Sequence, residues 1–352
     1  MRNVKSSENA TVVKARTVYG HRLKYENYTE LASRKKVTDA AEYLKKNTYF
    51  SEALADIDTA TIHRGFLESV LNRAYYDGYE KLCHFQRLEK QPFFNFLLVR
   101  SEIRELLKAL LSLNNERDDV YIESMHSFLI EKSGIDLMAL ARASDFKDLL
   151  KVLRHTPYYD VLKNVRTDSS GNVPYTRCEV LLRTYYMKWL LENAGKCTYG
   201  RSEKALIDQI NVQTDMINIV NAYRMKKYFK ADAQTLENYM LPFYGRLSKE
   251  KQRMLFNTAS AEEYLRMLSG TSYGRKMEQL TDNMESADFE REVIKIRCSM
   301  ARKSLMFSED AAVSIFSLMY LQEVELKNII NIIEGIRYNK SISYMENLIV
   351  MP

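Results

Sequence analysis

Asp215-Met216-Ile217-Asn218-Ile219-Val220-Asn221-Ala222-Tyr223 sets apolar side chains one, four, five and eight positions after an acid. That spacing is the i, i+3, i+4, i+7 stripe of an amphipathic helix. The same acid-led stripe stands at Glu102, followed by Ile103, Leu106, Leu107 and Leu110, and again at Glu325, followed by Leu326, Ile329, Ile330 and Ile333. The later two copies also share an Asn three residues after the acid, Asn218 and Asn328, where the first copy has Glu105.

Two further signatures recur in the same order. One is a Thr with an aromatic two residues on and an apolar residue six on: Thr48, Phe50, Leu54; Thr156, Tyr158, Leu162; Thr271, Tyr273, Met277. The other is an Arg ahead of an aromatic or apolar helix: Arg73-Ala74-Tyr75-Tyr76, Arg183-Thr184-Tyr185-Tyr186 and the weaker Arg297-Cys298-Ser299-Met300. All three signatures keep a period of about 110 residues. Short-unit solenoids repeat every roughly 20 to 50 residues, so this is a different architecture. The reading is three homologous helical units, 1–120, 121–235 and 236–352, in an all-α chain.

Composition supports helices. The 352 residues include 11 Gly and 5 Pro, well below ordinary usage. A sheet protein needs a tight turn every eight to twelve residues or so, and those turns draw on Gly, Pro, Asn and Asp. The formal net charge of +6 is a modest excess and does not indicate nucleic-acid binding. The four cysteines, Cys83, Cys178, Cys197 and Cys298, form no Cys-x-x-Cys pair, which fits a reducing cytoplasm. Met1 to Ala10 lacks an apolar segment of the kind a signal peptide carries. The most apolar runs, Phe93 to Val99 and Ile315 to Leu321, fall far short of the roughly 20 residues a membrane span needs.

Chemistry-bearing patterns are sparse. The five histidines, His21, His63, His84, His126 and His155, include no pair at i, i+4, so no zinc site is expected. Gly270-Thr271-Ser272-Tyr273-Gly274-Arg275-Lys276 resembles a phosphate loop but has one spacer too few and coincides with the Thr signature. It reads as a turn at a helix end. Asp118-Asp119-Val120-Tyr121-Ile122-Glu123 carries paired acids of the kind that chelate Mg²⁺ in all-helical isoprenoid enzymes, but no second acidic cluster has matching spacing. Acids ahead of an apolar helical run are explained as an N-terminal cap. No catalytic residue, cofactor, metal or small-molecule substrate is expected.

Arg73, Arg183 and Arg297 precede Glu102, Asp215 and Glu325 by about 30 residues, the separation of two antiparallel helices joined by a loop. The expectation is an Arg–acid ion pair in each unit.

The segment Gln213-Thr214-Asp215-Met216-Ile217-Asn218-Ile219 through Arg224-Met225-Lys226 resembles the Asp-x-x-Asn-Ile…Arg-x-Lys helix of the V-type ATPase family of C subunits, called d subunits in eukaryotes. Glu325-Leu326-Lys327-Asn328-Ile329 looks like that family's last helix. Ala15-Arg16 and Leu153-Arg154-His155-Thr156-Pro157-Tyr158 look like its N-terminal and Thr-x-Tyr elements. The resemblance spans nearly the whole chain. It implies three helical-bundle repeats arranged with pseudo-threefold symmetry into a funnel. The implied role is a rotor adaptor without catalytic residues, joining the central stalk of the ATPase head to the membrane rotor ring and carrying torque. The location it implies is cytoplasmic, peripheral to the membrane through the ring. A stalk tip of helix ends brings unsatisfied backbone groups, so the recess receiving it should be polar. Asn218, Asn221, Arg224, Asn328 and Asn331, flanking the stripes, are the candidate partner contacts. The alternatives are an all-α metal-dependent enzyme of isoprenoid type and a generic helical scaffold.

Overall fold

The computed structural model describes residues 2–85, 87–114, 127–281 and 284–352. Among these residues there are helices, short 3-10 turns and connecting loops, and no strand. The Asp118–Glu123 acids lie outside the described residues. In chain order the α-helices are α1 (Arg2–Gly20), α2 (Tyr25–Ala32), α3 (Val37–Asn47), α4 (Arg64–His84), α5 (Phe96–Leu113), α6 (Ser127–Lys132), α7 (Leu137–Arg142), α8 (Phe146–Val152) and α9 (Pro157–Leu162). They continue with α10 (Tyr175–Cys197), α11 (Gly200–Phe229), α12 (Ala233–Tyr239), α13 (Lys249–Phe256), α14 (Ala261–Ser269), α15 (Ser286–Phe307), α16 (Ala311–Arg337) and α17 (Ile342–Asn347).

Many of these helices start where the sequence supplies an acceptor. Asp136, Asp145, Asp232, Ser248, Ser260 and Asp310 each accept from the backbone N–H three residues on, satisfying one of the orphan donors of the first turn. Each such cap contributes about 1 kcal/mol.

The chain forms two compact units. One comprises Met1–Lys90, Thr198–Gln209 and Ala287–Pro352; the other comprises Gln91–Cys197 and Ile210–Ser286. The borders expected near residues 120 and 235 do not coincide with these. The physical reason is visible in the first unit, where the N-terminal helices fold onto the C-terminal ones. Its centre is α16, apolar around most of its circumference and buried along most of its length. α1, α2, α3 and α4 pack on it. Polar ties fix the arrangement. Arg16 donates to the Leu305 and Ser308 carbonyls at the end of α15 (3.0 and 2.7 Å), the Tyr19 hydroxyl donates to the Pro352 carbonyl (3.0 Å), and the Tyr75 hydroxyl donates to Met319 O (3.2 Å). Burying a Leu or Ile of α16 contributes roughly 1.5 to 3 kcal/mol.

In the second unit α10 packs against α5, α9 and α12, and the Tyr186 hydroxyl donates to Phe96 O (3.3 Å). Tyr158 of α9 meets Tyr185 of α10 edge-on at 5.5 Å between centroids. The Gly270–Lys276 segment is a helix-end turn. Gly270 caps α14, Thr271 N–H returns to Leu268 O (2.9 Å), and a 3-10 turn follows. Gly274 is required there, since a Cβ would lie 2.0 Å from Leu268 O.

Candidate functional site

The repeated Thr has one job in all three copies. Its hydroxyl donates to a Leu carbonyl in the preceding last turn: Thr156 to Leu153 (2.8 Å), Thr271 to Leu268 (2.7 Å) and Thr48 to Leu44 (2.6 Å). This ends the helix and aims the following aromatic inward. In the second and third copies the carbonyl is three residues back; in the first it is four back.

Each of the three acids is buried, and Glu102 and Asp215 accept from the phenol of the Thr signature that follows them. Glu102 Oε2 accepts from the Tyr158 hydroxyl (2.6 Å), while Oε1 accepts from Ser133 Oγ (2.7 Å) and Gly134 N (3.2 Å). Asp215 is fully buried and accepts from Tyr273 (2.7 Å), from the N–H groups of Gly245, Arg246 and Leu247 (3.2, 2.8 and 3.2 Å) and from Gln252 Nε2 (3.4 Å). Glu325 accepts from Leu23 N (3.0 Å), and the Tyr49 phenol, one residue before Phe50, stands beside it. Burial pushes the Asp215 carboxyl up, opposed by its hydrogen bonds from Tyr273 and the three backbone amides. Burial pushes Glu325 up to about 7, opposed by Leu23 N–H, Tyr49 and the Arg22 charge.

The expected Arg–acid pairs are corrected by these partners. Arg183 pairs with Glu179 one turn away (2.8 Å), and the guanidinium of Arg297 lies 3.7 Å over the Tyr320 ring. Arg73 sits 3.8 Å from Asp77 on the surface, a contact of small energetic weight. Spacing alone mistook the partner: a buried acid is satisfied here by amides and phenols, which desolvate at lower cost than a guanidinium. The signal was in the sequence. Tyr158 and Tyr273 follow their acids by 56 and 58 residues. Counting from acid to the next Thr signature gives the correct partners, and the phenol beside the last acid comes from the N-terminal segment.

The candidate partner contacts divide. Asn218 and Asn328 are corrections. Both are buried, and each amide brackets one backbone residue: Asn218 gives to Leu241 O and receives from Leu241 N (both 2.9 Å), Asn328 gives to Val350 O (2.7 Å) and receives from Val350 N (3.2 Å). These amides hold loops from buried positions. Glu105, at the same offset in the first copy, is instead buried against Lys108 (3.0 Å). Asn331 is half-buried on α16 in the first unit. Asn221 is half-buried and Arg224 exposed, and both line a cleft of about 160 Å³ in the second unit.

That cleft lies among α10, α11 and the end of α12. Val180, Met225, Met240 and Leu241 form its apolar floor, while Thr176, Glu179, Arg183, Asn221, Arg224 and Tyr239 supply its polar rim. Arg183 is neutralised by Glu179. Arg224 donates from Nε to Ser286 Oγ (3.1 Å), which orients its guanidinium. The Asn221 amide has no hydrogen-bond partner among the described residues. The rim can bind a polar or acidic group, and the floor an apolar one. Among the described residues no three His, Cys, Asp or Glu side chains gather to hold a metal, and no helix is long and apolar enough to cross a membrane.

Residues 11–348 match the family model described as ATP synthase (C/AC39) subunit. The chain is 22% identical over 325 residues to the C subunit of the A-type ATP synthase of Pyrococcus abyssi (strain GE5 / Orsay), covering 90% of this chain and 84% of that protein. With a family match running through every element described above from α1 to the end of α17, the chain belongs to the ATP synthase (C/AC39) subunit family.

Proposed function

We propose that this chain is a non-catalytic rotor adaptor of a V/A-type rotary ATPase, joining the central stalk of the soluble head to the membrane rotor ring and transmitting torque for ATP-coupled H⁺ or Na⁺ transport. The observation that carries the proposal is family membership over residues 11–348, which names a subunit of an ATP synthase. The internal construction supports it. A torque-carrying body must resist bending, and close-packed helices have low compressibility. Buried acids that clamp loops to helix interiors, Asp215 and Glu102, add polar struts to that packing.

In this reading the chain is a threefold repeat whose true unit runs from an acid helix to the next Thr signature. The N-terminal segment then completes the last repeat. A recess on the axis of the three repeats receives the stalk, and the adjoining ring interface is partial because a ring of another rotational order cannot match three repeats everywhere.

The cleft rimmed by Asn221 and Arg224 is the proposed stalk contact. Equilibrium binding of the full chain to isolated central-stalk subunits tests it. Arg224→Glu with Asn221→Ala should weaken binding at least tenfold, about 1.4 kcal/mol. Unchanged affinity in the double variant removes the cleft from the interface, and a wild-type chain that binds no stalk subunit overturns the adaptor reading.

A further inference from the structure

The three acid–phenol nodes are built alike but are not equally supplied with donors. Asp215 has five donors and Glu102 three, while Glu325 has one, Leu23 N–H, with the Tyr49 phenol beside it. Glu325 is also nearly inaccessible, at 2% exposure. Among the described residues no cation compensates it in direct contact. Arg22, the charged group nearest in influence, lays its guanidinium over the Tyr19 ring (4.2 Å) and donates to Tyr19 O (3.2 Å). The other titratable groups facing the node are the Tyr28 phenol from α2 and the Tyr49 phenol. Both are held neutral by burial. Cys298 of α15 lies behind Tyr28, its thiol pushed up to about 12. None of them supplies positive charge.

What Glu325 ties together is specific. Leu23 lies in the turn joining α1 to α2, and Tyr49 lies just after α3. One carboxyl on α16 therefore bonds the α1–α2 turn directly, with Tyr49 beside it. Other links, such as Arg16 to α15 and Tyr19 to Pro352, fasten α1 itself. Glu325 gives the α1–α2 turn its hydrogen bond to α16.

We propose that Glu325 is a proton-operated latch: with its carboxyl neutral it holds the α1–α2 turn against α16, and when it ionises the turn loosens. A buried carboxylate with one backbone donor and no cation is costly, whereas the neutral carboxyl keeps the Leu23 bond without that desolvation cost. Opening the turn lets water reach the carboxylate, so ionisation favours the open state. The latch closes as the pH falls.

Amide hydrogen exchange of the full chain, read on peptides covering Leu23 to Tyr28 and corrected for intrinsic exchange, is the test. With the carboxyl titrating at about 7 when latched and 4.5 when open, protection should fall roughly tenfold from about pH 6 to about pH 8. Glu325→Gln, permanently neutral, should abolish that dependence. Tyr49→Phe removes the phenol that opposes the upward shift of the latched carboxyl and should move the upper end of the transition to higher pH. Asp215→Asn, at a different node, should leave the Leu23 peptides with their wild-type pH profile. Protection that is flat with pH in the wild type, or equally pH-dependent in Glu325→Gln, overturns the proposal, as does a Tyr49→Phe transition that is unmoved or lowered.

Discussion

The Tyr273 hydroxyl reaches Asp215 Oδ2 at 2.7 Å, joining the turn after α14 to the interior of α11. The carboxylate and the phenol are both buried, so water cannot replace either partner. Tyr158 makes the equivalent bond to Glu102.

Removing such a donor should be expensive. Tyr273→Phe keeps the ring and deletes one hydrogen bond to a charged acceptor, and should lower the free energy of urea unfolding by about 1.5 to 3 kcal/mol. Tyr158→Phe should behave alike. A loss under about 0.5 kcal/mol in both would mean that the other donors suffice.

The loop over Asp215 has no room for a methyl group. A Cβ at Gly245 would lie 2.6 Å from Asp215 Oδ2 and 3.0 Å from Asn211 O. Gly245→Ala should therefore displace the amides that hold the carboxylate and destabilise by about 1 to 3 kcal/mol. Calorimetry should show a lowered Tm; a Tm equal to wild type would count against the close approach.

Asn218 and Asn328 are predicted to be structural. Replacing either by Ala leaves the N–H of Leu241, or the N–H and C=O of Val350, without partners. The expected loss is about 1 to 3 kcal/mol per site in denaturant unfolding, with affinity for stalk subunits unchanged. Weakened binding at wild-type stability would reverse that assignment.

Glu325 makes global stability depend on pH in a definite direction. Burial raises its carboxyl from 4.5 to about 7, so between those values the folded chain keeps a proton that the unfolded chain has lost. Its contribution to unfolding free energy should fall as the pH rises through that window, by at most about 1.4 kcal/mol per pH unit, and level off above it. Subtracting the profile of Glu325→Gln from that of the wild type isolates this slope; a difference that rises with pH would contradict the assignment.

The all-helical class and the repeated acid helices were legible because stripe spacing and Gly and Pro scarcity are local properties. The buried ends of the nodes were not, since an acid and an Arg about 30 residues apart look like partners on paper while the Leu23–Glu325 bond joins opposite ends of the chain. Asn221 and Arg224 were found as accessible polar positions, but the sequence placed Asn218 and Asn328 beside them. One stripe offset does not separate an amide facing a loop from one facing a cleft.

Rotary coupling with and without this chain tests the central claim most directly. Membrane rotor, stalk and catalytic head are reconstituted into vesicles, and ATP hydrolysis is followed together with ion uptake. The account predicts that omission leaves hydrolysis without transport and that adding the chain back restores transport. Ion uptake at the full rate in its absence would contradict it.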